Sequence, residues 1–233
     1  MVENKSPKKY LKKHQRAKKE NIYLNIVYED EKVIVCNKPS SLLTIKNEHT
    51  EKCLYHMVLT YLKMVDKHNS LFIVHRLDKD TSGLVIFAKD FKTKKILQDA
   101  FENKEVVRKY EAVVDGIIQD KNEVILKDYL FTDKFNNVFV SKKKTDTLAI
   151  TRFTVNRVDL AKNKSNLDIT IETGKRNQIR CQLANYNHPI LGDKKYLENP
   201  KGRLMLNAYK LEFPKLKGYL NQTLFEVDKL FLK

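Results

Sequence analysis

The sequence predicts a single domain of the α+β class. Segments with strand periodicity and segments with helix periodicity are mixed along the chain, without the regular β-α alternation of a parallel-sheet protein. Hydrophobic residues make up 42% of the 233 residues, and there are only 6 glycines and 5 prolines. This composition supports a buried core and argues against global disorder, and the length suits one sizeable domain, or one domain with appendages.

The first half of the globular part, which begins near Tyr23, is predicted to contain three strands and two helices. Short apolar runs at 33–36, 71–74 and 84–88 indicate the strands, and a turn at 38–41 closes the first of them. One core-facing helical stripe consists of Leu54, Met57, Val58, Tyr61, Leu62 and Val65. Asp90 is expected to cap the second helix, whose buried side consists of Ile96, Leu97, Ala100 and Phe101.

The second half is predicted to be rich in strands. The alternation of Leu167, Ile169 and Ile171 with polar residues is typical of a half-buried strand. A short helix is expected at 178–187, where Pro189 stops it. The other predicted strands lie at 106–114, 124–126, 138–141 and 147–158.

A strong positive charge points to a polyanionic partner. The formal net charge is +16, so nucleic acid is the first expectation. Half of this excess lies in residues 4–19, which carry eight cations and no acid. We expect residues 1–20 to form a flexible basic arm that contacts RNA phosphates, ahead of a globular domain at 21–233; a solvated tail is the alternative. The arm residues expected to contact RNA are Lys8, Lys9, Lys12 and Lys13.

Several other classes of protein are excluded or disfavoured. No apolar run approaches the ~18 residues of a membrane span, and the basic N-terminus lacks the apolar core of a secretory signal. Cys36, Cys53 and Cys181 are odd in number and far apart, so neither a disulfide framework nor a zinc site is expected. A reducing cytoplasm is the natural setting for such a chain.

The segment 75–83, with the sequence HRLDKDTSG, is the most informative one for function. It places Asp78 between basic residues, in a polar loop that connects two predicted strands. An aspartate has an ordinary pKa of about 3.9, so it is ionised at neutral pH and can act as a nucleophile without a partner base. The alternative is an ordinary capped loop between two strands.

Two further segments are candidates for a site. Tyr110 lies in a strand pattern amid basic residues, where it could stack on a base and offer a hydroxyl, or simply belong to the core. In 172–180 a strand, a glycine turn and a helix start place cations and backbone N–H groups where an anion would bind. Arg180 lies one turn inside that helix and could pair with Asp78, or it could be an ordinary surface arginine.

Other readings of the acidic residues are weaker. Asp78 and Asp80 could hold Mg²⁺, but Arg76 and Lys79 beside them argue against a cation. A glycosidase would need the two carboxylates to converge, whereas residues two apart need not do so. His75 and His188 lack metal-ligand spacing, which favours a structural role.

Taken together, the three segments resemble the RluA-type pseudouridine synthases. The resemblance runs from about Tyr28 to about Phe213 and keeps the order of the family's motifs. The matching segments are 35–39 (VCNKP), 75–78 with 81–83 (HRLD, TSG), 109–112 (KYEA), 173–180 (TGKRNQIR), 188–193 (HPILGD) and Tyr196.

The resemblance implies a fold, an activity and a set of site residues. The fold would be a mixed, mainly antiparallel bent sheet flanked by helices, with a central basic cleft. The activity would be isomerisation of uridine to pseudouridine in structured RNA, without cofactor or metal. Asp78 would attack C1′ or C6, Tyr110 would stack on the flipped uracil, and Arg180 would pair with Asp78. Arg76 would fill the gap left by the flipped base, and the other expected RNA contacts are His75, Lys109, Lys175, Arg176 and Lys38.

Three positions depart from the family pattern, which commonly has histidine at Asn177, Gln182 and Asn207. We expect these residues to line or brace the cleft. The small S4-type RNA-binding domain of many relatives is not expected here. Ribosomal RNA is favoured over transfer RNA, and a monomer is the default. The rival interpretation is a non-catalytic RNA-binding or ribosome-assembly factor that retains the fold.

Overall fold

The computed structural model describes residues 24–46, 52–145 and 147–231. In these residues eleven strands form one sheet, and three α-helices pack against it. The helices are α1 (Leu54–Val65), α2 (Phe91–Glu102) and α3 (Gln178–Asn185). The strands are β1 (Ile26–Glu29), β2 (Val33–Lys38), β3 (Phe72–Ile73), β4 (Ser82–Ala88), β5 (Val107–Asp115), β6 (Val124–Thr132), β7 (Val138–Ser141), β8 (Leu148–Asp159), β9 (Lys164–Ile171), β10 (Leu206–Glu212) and β11 (Leu224–Glu226). The predicted arm, with Lys8, Lys9, Lys12 and Lys13, lies outside the described residues.

The sheet is mainly antiparallel, and the predicted α+β class is confirmed. Its strand order is β1-β2-β4-β10-β5-β9-β8-β6-β7, with β3 paired to β4 and β11 paired to β10. The parallel contact joins β10 to β4, where Asn207 lies opposite Ser82 and Ala208 lies opposite Gly83. The β10 strand therefore connects the strand that follows the Asp78 loop to the strand that carries Tyr110.

Helices α1 and α2 cover opposite faces of the same two strands. Successive side chains of a strand point to opposite faces, so β2 and β4 each contribute to both sides of the sheet. One face contributes Ile34 and Phe87 to the cluster that contains α1 residues, and the other contributes Val35 and Ile86 to the cluster that contains Leu97 of α2. Burial on both faces explains why these strands are continuous apolar runs in the sequence.

The predicted helices are all present, and the Asp90 cap is confirmed by the hydrogen bond that the Thr93 amide donates to Asp90 Oδ1 (2.8 Å). Helix α3 ends at Asn185, two residues before the predicted end, and Asn187 has a left-handed backbone with φ of 62°. A left-handed residue of this kind commonly follows the last helical turn. The end of the helix is thus set by Asn187 rather than by Pro189.

The strand predictions were less complete. Strand β3 covers two residues instead of four, and β6 continues to Thr132 where the prediction ended at 126. Strands β1, β10 and β11 were not predicted. The β10 strand is almost wholly buried, so the alternation that marks a half-buried strand is absent from it.

Gly83 lies where β4 and β10 approach most closely. Its φ is +118°, and a Cβ atom there would lie 2.2 Å from the carbonyl oxygen of Ala208. A side chain would therefore meet backbone that cannot move without separating the two strands. Glycine at this position keeps β10 in contact with the strand that follows the Asp78 loop.

The three cysteines are free and buried. Within the described residues, no helix is both long enough and apolar enough to cross a membrane.

Candidate active site

Three side chains from the last residue of β2 and the segment after it fix the loop that carries Asp78. Thr44 Oγ1 donates to the Leu77 carbonyl (2.8 Å) and accepts from the Leu77 amide (3.2 Å). Lys38 Nζ donates to the Lys79 carbonyl (2.9 Å), and Ser40 Oγ donates to the Asp80 carbonyl (2.7 Å). The backbone on both sides of Asp78 is therefore held by direct hydrogen bonds. A carboxylate that must act at one position benefits from such support.

The position of Lys38 contradicts the role predicted for it from the sequence. It was expected to contact RNA, but its side chain is fully buried. Its ammonium group donates to the carbonyls of Pro39, Leu42 and Lys79 at 3.0, 2.7 and 2.9 Å. Burial lowers the pKa of Lys38 to about 8, against the opposing effect of Asp80 and Asp78. Lys38 supports the Asp78 loop from inside the protein instead of contacting a ligand.

Arg180 lies beside Asp78, and a second carboxylate holds it there. Its Nη1 atom lies 3.8 Å from Asp78 Oδ2, which places the predicted pair together. The closer partner is Asp193, which accepts from Nε (2.7 Å) and from Nη2 (2.6 Å) and is fully buried. Nη1 also donates to Asn177 Oδ1 (3.2 Å), and the guanidinium carbon lies 5.6 Å from the centre of the Tyr196 ring. Asp193 thus fixes the orientation of Arg180 and leaves one nitrogen directed at Asp78.

Asp78 is partly removed from water in a positively charged setting. Its side chain is 25% exposed. Burial raises its pKa above the ordinary value, whereas Arg180, Arg76, Arg176 and Lys38 act in the opposite direction, in that order of strength. A carboxylate with few waters and several nearby cations remains available to attack a bound electrophile.

Tyr110 and Arg108 face the same side of β5 because they are two residues apart. Both line the cleft that contains Asp78, and Tyr110 is only 8% exposed. Burial raises the pKa of Tyr110, so its phenol is neutral at physiological pH. Lys109, which lies between them, is not part of the cleft wall, so the structure does not bring this predicted RNA contact to Asp78.

His75 has a structural role in the wall of the cleft. Its Nε2 atom accepts a hydrogen bond from the Ile86 amide (3.1 Å), and its ring stacks on Phe101 with centroids 4.8 Å apart. Burial, with a smaller effect of Arg108, lowers the pKa of His75 to about 3. The imidazole is therefore neutral at physiological pH, and the predicted RNA contact cannot be that of a cation with phosphate.

The cleft has a volume of about 540 Å³, within the range of small-molecule sites. Lys175 and Arg176, two of the predicted RNA contacts, are exposed, and Lys175 belongs to the cleft wall. The charged side chains of the wall are the cations Arg76, Lys104, Arg108, Lys175 and Arg180 and the acids Asp78, Glu102 and Glu172. Among the described residues, no group of three or more His, Cys, Asp or Glu side chains could hold a metal ion.

Two buried side-chain atoms in the described chain have no hydrogen-bond partner, and both belong to this cleft. They are Thr81 Oγ1 and Arg108 Nε. Arg108 is otherwise held in place, since its Nη2 donates to the Glu172 carbonyl (3.1 Å) and its guanidinium lies 5.6 Å from the Phe101 ring centre. Buried polar atoms are almost always paired in folded proteins, so these two unpaired atoms are candidates for contact with a bound molecule.

The three positions that depart from the family pattern have different roles. Asn177 belongs to the cleft wall, with a left-handed backbone (φ 51°) just before α3. Gln182 lies away from the cleft and is fully buried, where Thr151 donates to it (2.7 Å) and it donates to Asp128 (2.7 Å).

Asn207 is likewise fully buried, and it accepts from Ser82 Oγ (2.8 Å) and donates to Glu111 (2.9 Å). Ser82 follows the Asp78 loop, and Glu111 is the neighbour of Tyr110. Asn207 therefore braces the two strands that carry the site, as expected, without lining the cleft.

No role was predicted from the sequence for Asp193, Thr81, Arg108 or Thr44. Asp193 and Thr81 lie inside segments that matched the family, but nothing in their spacing indicates which side chain they meet. Arg108 precedes Tyr110 by two residues, and the strand alternation alone places it on the same face. That alternation is the one signal that could have identified Arg108.

Comparisons with known proteins agree on one family. A model described as RNA pseudouridylate synthase matches residues 32–185. The chain is 37% identical over 222 residues to an "uncharacterized RNA pseudouridine synthase" of Mycoplasma capricolum, covering 86% of this chain and 70% of that protein. It is 32% identical over 219 residues to ribosomal large subunit pseudouridine synthase D of Blochmanniella floridana, covering 91% of this chain and 66% of that protein.

A further relative, ribosomal large subunit pseudouridine synthase D of Haemophilus ducreyi, is 30% identical over 187 residues; this covers 80% of the chain and 56% of the relative. Among solved structures, human RNA pseudouridylate synthase domain containing 4 has a TM-score of 0.72 at 22% identity, covering 95% of this chain and 94% of that one. Human RNA pseudouridylate synthase domain containing 1 has a TM-score of 0.70 at 21% identity, covering 88% and 82%. The structural likeness supports the same fold.

Proposed function

The chain belongs to the RNA pseudouridylate synthase family, and on this premise we propose that it converts specific uridines of structured RNA to pseudouridine, with Asp78 as the nucleophile. The observation that carries the proposal is the position of Asp78 beside Arg180, which Asp193 holds in place. Binding alone would not require a partly buried carboxylate with its own oriented counter-ion. This arrangement argues against the rival, a non-catalytic RNA-binding factor with the same fold.

The proposed reaction rearranges one nucleotide and needs no co-reactant. Asp78 attacks C1′ of the ribose or C6 of the uracil, and the bond between N1 and C1′ breaks. The uracil turns, its C5 atom forms the new bond to C1′, and the bond that Asp78 made to the nucleotide breaks, which restores the free carboxylate. The C5 proton is then lost and N1 gains a proton, so that atoms and electrons balance. Catalysis of this kind depends on positioning and electrostatics, which the fixed Asp78 loop and Arg180 provide.

Tyr110 and Arg76 are proposed to stabilise the RNA after the target base has flipped out. A uridine inside an RNA helix is out of reach, and its extrusion costs a few kcal/mol. The buried Tyr110 ring offers a surface on which the extruded uracil stacks, and exposed Arg76 fills the gap in the RNA. Because the Tyr110 phenol is neutral, stacking is the role favoured for it over that of a general base.

The unpaired atoms of Thr81 and Arg108 are proposed to contact the target nucleotide. A uridine nucleotide presents carbonyl, hydroxyl and phosphate oxygens, all of which accept hydrogen bonds. Thr81 lies three residues after Asp78, and both residues belong to the cleft wall. Arg108, which also lines the cleft, would donate from Nε to an anionic oxygen of the nucleotide.

The proposed substrate is ribosomal RNA in preference to transfer RNA, because two of the relatives are named for the large ribosomal subunit. We further propose that residues 1–20 add phosphate contacts to the catalytic domain at 21–233, that the protein is a monomer, and that it acts in the cytoplasm, where free cysteines stay reduced.

Pseudouridine mapping in cells tests this proposal. Ribosomal and transfer RNA from cells with and without the gene would be compared with a chemistry selective for pseudouridine. A site that disappears on deletion and returns with the wild-type gene, but not with Asp78→Ala, supports both the activity and its target. If no site disappears and purified protein modifies no bulk RNA, the non-catalytic rival replaces the proposal.

A further inference from the structure

The hairpin formed by β6 and β7 exposes three phenylalanine side chains. Phe131, Phe135 and Phe139 are 53%, 72% and 49% exposed. Phe131 and Phe139 lie directly opposite each other on the two strands, and Phe135 lies in the turn between them. We call residues 129–144 the aromatic hairpin. Clustered exposed aromatic side chains in a soluble protein commonly mark an interaction surface.

The opposite face of the aromatic hairpin is anchored to the domain. Leu130 and Val138 are buried in a cluster with Ala149 and Cys181. Tyr196 also donates its hydroxyl proton to the Val138 carbonyl (2.8 Å). Because side chains alternate between faces, this anchoring holds Phe131 and Phe139 on the outer face of the sheet. The exposed rings therefore stand on a fixed platform.

The charge of the aromatic hairpin indicates a polyanionic partner. Lys134, Lys142, Lys143 and Lys144 are exposed, and Lys134 Nζ lies 5.1 Å from the centre of the Phe135 ring. Asp133 is the acidic residue in this stretch, and its carboxylate accepts hydrogen bonds from the Phe135 and Asn137 amides and from the Asn137 side chain. Lysines are depleted in protein–protein interfaces, whereas lysines beside aromatic rings are typical of surfaces that bind single-stranded nucleic acid.

The aromatic hairpin also adjoins the mouth of the catalytic cleft. Arg176 Nη1 donates to Asn136 Oδ1 in the hairpin turn (2.9 Å). Arg176 follows Lys175 of the cleft wall, and its charge acts on Asp78. An RNA strand that leaves the cleft past Arg176 therefore meets the hairpin next.

We propose that the aromatic hairpin binds unpaired nucleotides next to the target uridine. Their bases stack on Phe135 and on the Phe131–Phe139 pair, while their phosphates contact the lysines at 142–144. The inference rests on the proposed function for the identity of the substrate. The aromatic hairpin thus provides a second RNA contact, which selects target uridines whose neighbouring nucleotides are unpaired.

Binding of two fluorescein-labelled probes tests the inference with the full-length protein. The probes are dodecauridylate, which is single-stranded, and a 12-base-pair RNA duplex, whose bases are already stacked. The variants are Phe135→Ala and the double variant Phe131→Thr with Phe139→Thr, which introduces threonine because it is well tolerated in strands. Phe91→Ala, a change at a 63% exposed phenylalanine of α2, is the matched control.

We expect dodecauridylate to bind each hairpin variant about tenfold more weakly than wild type, because base–aromatic stacking contributes about 1–3 kcal/mol per base and 1.4 kcal/mol is tenfold. The salt dependence should stay unchanged, since no charge is lost. The duplex should bind wild type and variants equally. Replacing the three lysines at 142–144 with serine should reduce the slope of log affinity against log salt by about two, at ~0.7 per phosphate contact.

Equal binding of dodecauridylate by wild type and both hairpin variants would overturn the inference. So would a loss of self-association in the variants without a loss of RNA binding, because the hairpin would then contact a second copy of the chain. These outcomes are separate from the failure of the proposed function. If the wild-type protein makes no pseudouridine, probe binding still tests the contact between the aromatic hairpin and RNA. If the wild-type protein does make pseudouridine, the hairpin variants should have a higher KM and an unchanged kcat.

Discussion

Arg180 is bound to Asp193 by two charge-assisted hydrogen bonds of 2.7 and 2.6 Å, which are shorter than its 3.8 Å contact with Asp78. Asp193 is fully buried, so the pair forms a rigid unit inside the protein. The site therefore consists of a fixed cation with a permanent partner and one nitrogen left for Asp78. In the proposed reaction, this loose contact would allow Asp78 to change its bonding while Arg180 stays in place.

Substitutions of Arg180 should separate the effect of its positive charge from the effect of its forked side-chain geometry. Arg180→Lys keeps the cation but cannot bind Asp193 through two donors, so we expect kcat to fall by about 10- to 100-fold, as for a misplaced catalytic group. Arg180→Met leaves Asp193 buried without its partner, which should lower the free energy of unfolding by about 3–5 kcal/mol. Urea denaturation and steady-state kinetics measure the two effects. A lysine variant with wild-type kcat would show that the fork geometry is dispensable.

The pH dependence of the reaction should report Asp78. Only the carboxylate is nucleophilic, and burial raises the pKa of Asp78, so kcat/KM should fall on acidification at a pH above that expected for a free aspartate. Arg180 is the cation that opposes this shift most strongly. Its replacement by methionine should therefore move the acidic limb of the profile to higher pH. An acidic limb at the same pH in both proteins would mean that Asp78 is not the group that titrates.

Thr81→Val should improve stability and impair activity. Thr81 Oγ1 is buried without a partner, so the valine variant, which has nearly the same shape, should unfold with an unchanged or higher free energy, by up to about 1–3 kcal/mol. If the hydroxyl contacts the target nucleotide, kcat/KM should fall about 3- to 10-fold, the worth of one hydrogen bond. Thr60→Val, at an exposed position of α1, is the control. Unchanged kinetics would remove Thr81 from the substrate contacts.

Lys38→Met should loosen the Asp78 loop. The change removes three hydrogen bonds and leaves buried carbonyl groups unpaired, which should lower the free energy of unfolding by about 1–3 kcal/mol. We expect kcat to fall by about tenfold or more while RNA binding is retained, because Lys38 positions Asp78 without meeting the ligand. Lys95→Met, at an exposed position of α2, provides the control. A selective loss of RNA binding would instead restore Lys38 to the ligand contacts.

The sequence was most informative where local chemistry decides the structure. The helix over Leu54–Val65 and the cap at Asp90 depend on neighbouring residues, and both are confirmed. The prediction that Val65 faces the core is wrong, since Val65 is 42% exposed. The β10 strand could not be recognised because it is covered on both faces and therefore has no alternation. The position of β10 determines how the site is assembled, because β10 joins the strand after the Asp78 loop to the strand that carries Tyr110.

The central residues of the site were predicted from the sequence, but the residues that hold them in place were not. Asp78 and Arg180 are together as expected, but the partner of Arg180 lies 13 residues further along, and no periodicity indicates that contact. Lys38 was expected to contact RNA, but it is fully buried and its ammonium group donates to three backbone carbonyls. Such contacts depend on how distant segments meet in the fold.

The most direct test of the account is pseudouridine formation by purified protein. Wild type and Asp78→Asn, which is nearly isosteric, would be incubated with total RNA from cells that lack the gene, and pseudouridines would be mapped. The account predicts that wild type modifies defined uridines, whereas Asp78→Asn modifies none and binds dodecauridylate with wild-type affinity. Modification by Asp78→Asn at a rate comparable to that of wild type would contradict Asp78 as the nucleophile.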